Sequence, residues 1–82
     1  MIHSQYMTAP DYWSDRVKTL RENLEAEDYG RLYFLLALCL VDAYDSNDYD
    51  RHEAIKKSIQ GLRAHDYEAI EEGIDELEEI AE

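Results

Sequence analysis

Eighty-two residues with 8 Lys+Arg against 20 Asp+Glu carry a formal net charge of −12, which argues against direct binding to DNA, RNA or an anionic membrane and favours a basic protein partner. Hydrophobic residues make up 45% of the chain, too many for a disordered acidic tail, so residues 1–82 are expected to form a single acidic domain with a small core.

With 1 Pro, 3 Gly and no alternating β-branched segments, the chain reads as all-α. Residues 1–7 are expected to be a flexible N-terminus. Thr8 can cap the first helix, Pro10 suits its first turn, and Asp11 stands where a capping-box acid belongs. Trp13, Val17, Leu20 and Leu24 then fall on one stripe, and Asp28-Tyr29-Gly30 is expected to end the helix. The second helix, Arg31 to Tyr44, is apolar on nearly all sides, the pattern of a central, buried helix. Asp45-Ser46-Asn47-Asp48 has turn and capping chemistry, and His52, Ile55, Ile59 and Leu62 mark the third helix, with Gly61 expected to cap its end and Leu62 to fold back. Asp66 caps the fourth, whose seam is Tyr67, Ile70, Ile74, Leu77 and Ala81.

Connections of about three to five residues bring successive helices antiparallel. The expected fold is a small antiparallel helical bundle of about four helices, arranged as two stacked helical hairpins. Its core is expected to gather Trp13, Val17, Leu20, Leu24, Leu35, Leu38, Ile55, Ile59, Ile70, Ile74 and Leu77. A faint echo supports the hairpins: Leu24-Glu25-Ala26-Glu27-Asp28-Tyr29 returns as Leu62-Arg63-Ala64-His65-Asp66-Tyr67, and Asp-Tyr also occurs at 11–12 and 48–49. Near helix starts, the Asp is read as a cap and the Tyr as an amphipathic anchor. Asp66 to Glu71 also resembles, one spacer short, the beginning of the second helix of a tetratricopeptide repeat, whose Trp, Leu-Gly and Pro positions are not evident here. A small-residue strip, Ala69 and Gly73 with Ile80, invites close packing, against the second helix of the same chain or against a second copy.

The charge is uneven. Residues 1–44 carry 7 acids and 4 bases, residues 45–82 carry 13 acids and 4 bases, and Asp66 to Glu82 hold nine acids in seventeen residues with no Lys or Arg. On a helix all but Asp66 share an arc of roughly 160° opposite the apolar seam. Like charges at i,i+4 cost a few tenths of a kcal/mol each, so local stability does not explain this face. Its charges recur about every 2.8 Å along the axis, against about 3.4 Å per phosphate of one DNA strand. Glu68, Glu71, Glu72, Asp75, Glu76, Glu78 and Glu79 are therefore the candidate partner-binding residues.

Other chemistry is sparse. His52 and His65 lack the acid three residues earlier that a di-iron pair uses, and His3 is terminal. A single Cys39 supplies neither a disulfide nor a zinc set and points to a reducing compartment. The acids around Asp45, Asn47, Asp48 and Asp50 lack the glycine of a calcium loop, and Gly30, Gly61 and Gly73 are too scattered to cradle phosphate. Met1 to Gln5 shows no leader pattern, and the ten-residue apolar run Leu32 to Val41 is about half of the ~20 residues that a membrane helix needs. A soluble, cytoplasmic, non-enzymatic protein is expected, with no catalytic, metal or cofactor residues. The leading functional expectation is a DNA mimic that blocks a basic, nucleic-acid-binding surface, as phage inhibitors of restriction or CRISPR defence do. Its alternative is a helical regulatory subunit, monomer or homodimer, whose acids serve solubility or salt adaptation.

Overall fold

The computed structural model describes residues 12–81, and within them every element is helical. The helices are α1 (Tyr12–Glu25), α2 (Tyr29–Asp45), α3 (Tyr49–Ala64) and α4 (Tyr67–Ala81). They pack in a ring, each helix against its sequence neighbours and α1 also against α4, which stacks the α1/α2 hairpin on α3/α4. The result is the expected small antiparallel bundle, about 40 × 23 × 20 Å. Thr8, Pro10, Asp11 and the 1–7 segment lie outside the described residues.

All three corners are built alike. Glu27, Asn47 and His65 adopt left-handed backbone with φ of 58°, 58° and 57°. The next residue in each case is Asp. The Asp28, Asp48 and Asp66 amides donate back to Asn23 O, Ala43 O and Gly61 O at 3.0, 2.9 and 2.8 Å, closing the preceding helix. Their carboxylates accept from the Arg31, Arg51 and Ala69 amides, each at 3.2 Å, opening the following helix. The Asp-Tyr pairs at 28, 48 and 66 are thus caps with a first-turn tyrosine. This geometry also moves three expected boundaries. Helix α1 ends at Glu25, α2 begins at Tyr29, and α3 runs through Gly61 to Ala64 instead of stopping at the glycine.

Gly61 is buried within α3, where a β-carbon would meet Ile70 N at 2.8 Å and Ala69 Cβ at 3.0 Å. Gly73 on α4 answers it, with Ala54 O and the Ser58 amide at 2.6 and 2.8 Å from the site of a β-carbon. Two glycines therefore bring α3 and α4 close together, and the buried Ser58 hydroxyl donates to Ile70 O at 2.8 Å across the gap. Gly73 packs against the third helix of its own chain, not the second.

The core gathers Val17, Leu20, Leu24, Leu32, Leu36, Cys39, Ala43, Ala54, Ile55, Ile70, Ile74 and Leu77, with Trp13, Leu35 and Ile59 partly buried against it. Leu38, expected in the core, is 41% exposed. Helix α2 is not buried all round. Its inward stripe is Leu32, Leu36, Cys39 and Ala43, while Phe34 and Val41 are 62% and 55% exposed on the other side. Four helices in a ring leave each member an outward side, so an all-apolar helix must expose part of its surface.

Candidate functional site

Helix α4 turns Ile70, Ile74 and Leu77 inward with Gly73, and that seam fixes where its acids point. Glu68, Glu71, Glu72, Asp75, Glu78 and Glu79 are exposed, and Glu76 is half-buried. The two edges of this face are tied to neighbouring helices. Arg21 Nη2 on α1 donates to Asp75 Oδ1 at 2.7 Å and also to Glu78. Lys57 Nζ on α3 donates to Glu76 Oε2 at 2.5 Å. These carboxylates hold the proton on each base more firmly: the Asp75 bond leads in raising Arg21, and the Glu76 bond in raising Lys57.

Between the tied edges, Glu68, Glu71, Glu72 and Glu79 have no cation within ion-pair distance among the described residues. Glu68, Glu72 and Glu79 fall within about 40° of one another around the helix and span about 16 Å along it. The seven candidate residues include Asp75, Glu76 and Glu78, and those three carboxylates already have partners in this chain. An open row of three glutamates with Glu71 beside it is what α4 offers a cationic surface.

A second feature was not expected from the sequence. Phe34, Leu38 and Val41, flanked by Tyr33 and Tyr44, make an apolar outward face on α2. Its signal was present: Arg31, Phe34, Leu38, Val41 and Asp45 recur at spacings of 3, 4, 3 and 4, a stripe as regular as the buried one. A third feature is a cleft of about 320 Å³ at the α2–α3–α4 corner, lined by Tyr29, Leu62, His65, Tyr67 and Ile70. The Tyr67 phenol there is raised above its ordinary value, by burial first and then by its Tyr29, Glu71, Glu27 and Glu25 neighbours.

The remaining reactive groups are spent on structure. Cys39 is buried, and burial pushes its thiol up to about 11. His52 lies 3.9 Å from Glu53 and tilts against Tyr44 with ring centroids 6.1 Å apart. Arg51 pairs with Asp48, donates to Ile80 O at 3.3 Å, and lies over the Trp13 ring at 5.0 Å, tying α3 to α4 and α1. Among the described residues no group of three or more His, Cys, Asp and Glu is placed to hold a metal ion. No described helix is long and apolar enough to cross a membrane. Neither a family model, nor a curated protein, nor a solved structure matches this chain.

Proposed function

We propose that this protein is a non-enzymatic, acidic interaction module that binds a basic protein surface through the outer face of α4 and keeps nucleic acid from it. The observation that carries this reading is the open Glu68, Glu72, Glu79 row, which has no ion-pair partner among the described residues while Arg21 and Lys57 hold its edges. A carboxylate row fixed on a rigid helix presents charge in a defined array, which suits Lys and Arg side chains already spaced to hold phosphates. An inhibitor of restriction or CRISPR defence is one setting for such a surface. The rival reading, a helical regulatory subunit whose acids serve solubility or salt adaptation, needs only total charge and no particular array.

Two double reversals separate the readings. Glu72→Lys with Glu79→Lys alters the open row, whereas Glu22→Lys with Glu25→Lys alters exposed acids of α1, and both change net charge by the same amount. Wild type immobilised in host extract should retain a basic protein that duplex DNA displaces. The α1 double should retain it too, and the α4 double should lose most of it. Equal recovery by all three would leave the acids as a solvation shell.

A further inference from the structure

The outward face of α2 is apolar and open to solvent. Phe34, Val41 and Tyr44 are 62%, 55% and 70% exposed, and Tyr33 and Leu38 are 43% and 41% exposed. These five side chains leave on the order of 500–600 Å² uncovered, at the upper end of what a monomer tolerates as a single patch. Arg31 and Asp45 bound the stripe at its two ends, both exposed and neither ion-paired within the described residues. At 100° per residue, Arg31, Phe34, Leu38, Val41 and Asp45 fall within about 80° of one another, nearly opposite the buried stripe.

We infer that this face binds a second copy of the chain, α2 against α2 in antiparallel orientation, with the two-fold axis passing near Leu38. The charges decide the orientation. Leu38 is midway between Arg31 and Asp45 in sequence, so an antiparallel pair centred there sets each Arg31 beside the partner copy's Asp45. A parallel pair would set Arg31 against Arg31 and Asp45 against Asp45. The surface is self-complementary, as a two-fold interface must be. Phe34, Leu38 and Val41 supply the apolar seam in coiled-coil spacing, and exposed Ala37 keeps its Val41 flank low. Two such faces hold about 1,000–1,200 Å² as an upper bound, because Tyr33 and Tyr44 flank the stripe on the α3 side, beside Arg63 and His52, and with Arg31 and Asp45 included the pair stands at the low end of specific interfaces.

Self-association of a chain with net charge −12 is opposed by repulsion, and the ring of helices limits that cost. Helices α2 and α4 stand across the ring from each other, approaching at the Tyr29–Tyr67 corner, so docking through the outward face of α2 sends the two acidic faces to the far ends of the dimer. Sites for a basic partner on α4 remain open. The inference stands apart from the acidic-face reading, since it rests on α2 alone.

Sedimentation of the full chain across a concentration series is the test, read alongside thermal melting. Wild type should reach a dimer in the micromolar range, and added salt should tighten it by screening the net charge, the opposite of its effect on binding to a basic partner. Leu38→Glu should abolish the dimer. Arg31→Asp or Asp45→Arg alone should raise the dissociation constant roughly tenfold, from two lost pairs and two new repulsions. The double variant with both changes should restore wild-type association, because it re-forms the pairs in reverse. A wild type that stays monomeric at every concentration overturns the inference, and a lower melting point for Leu38→Glu would then mean that the face is covered within its own chain. Failure of the double variant to recover overturns the antiparallel arrangement.

Discussion

Gly73 and Gly30 both lie in helices, yet a methyl group would have opposite effects at the two positions. At Gly73 a β-carbon would fall 2.1 Å from Ser58 Oγ and 2.6 Å from Ala54 O, and the carbonyl belongs to a backbone that cannot swing aside. At Gly30 nothing lies within 4 Å. Gly73→Ala should therefore cost about 1–3 kcal/mol or more through overpacking, whereas Gly30→Ala should gain up to about 0.5–1 kcal/mol. Urea melts of the two variants against wild type check this, and shifts of the same sign would contradict the close α3–α4 approach. Cys39 yields a prediction in pH. Its thiol is held up to about 11 when folded, against an ordinary value of 9.0, so between those values the unfolded chain has lost a proton that the native state keeps. The native state binds more protons there, and stability must fall as pH rises through that window. Cys39→Ala should flatten this alkaline decline in a pH series of melts, and a maleimide probe should react with wild type only as the bundle opens.

Helix α2 shows where sequence reading succeeds and where it fails. The stripes of α1 and α4 were legible because charged residues occupy their other sides, so Val17, Leu20 and Leu24, and Ile70, Ile74 and Leu77, could point only inward. In α2 two apolar stripes compete, Leu32-Leu36-Cys39-Ala43 and Phe34-Leu38-Val41, and periodicity cannot rank them. The bundle chose the stripe that ends in small Ala43 and leaves Arg31 and Asp45 in water. Leu36→Ala should accordingly cost about 2–5 kcal/mol, and Leu38→Ala less than about 1 kcal/mol in the monomer. Denaturant melts at low protein concentration decide it, and equal losses would return Leu38 to the core. The acidic face of α4 was legible as a helix surface. Its ion pairs with Arg21 and Lys57 were not, because they join residues 54, 57 and 19 positions apart. Only the tertiary arrangement of α1 and α3 around α4 brings those cations to the edges.

Across the whole molecule, a net charge of −12 on so small a body means that folding concentrates like charge. Raising ionic strength from about 0.01 to 0.15 M shortens the screening length from about 30 to 8 Å, so the melting temperature should climb with salt, and a flat response would show that the in-chain ion pairs already offset the repulsion. The corners determine how the bundle comes apart. Asp28, Asp48 and Asp66 each hold the end of one helix with the amide and the start of the next with the carboxylate. Fraying of either helix therefore strips hydrogen bonds from its neighbour, and the usual low-cost local openings of a helix terminus are suppressed at all three junctions. In deuterated solvent the amides of these three aspartates should exchange nearly as slowly as those at the centres of the helices, although Asp28 and Asp66 are exposed and Asp48 is only half-buried. The bundle then behaves as one cooperative unit, with no separately melting hairpin, and its slowest protons are found at the turns as well as in the core.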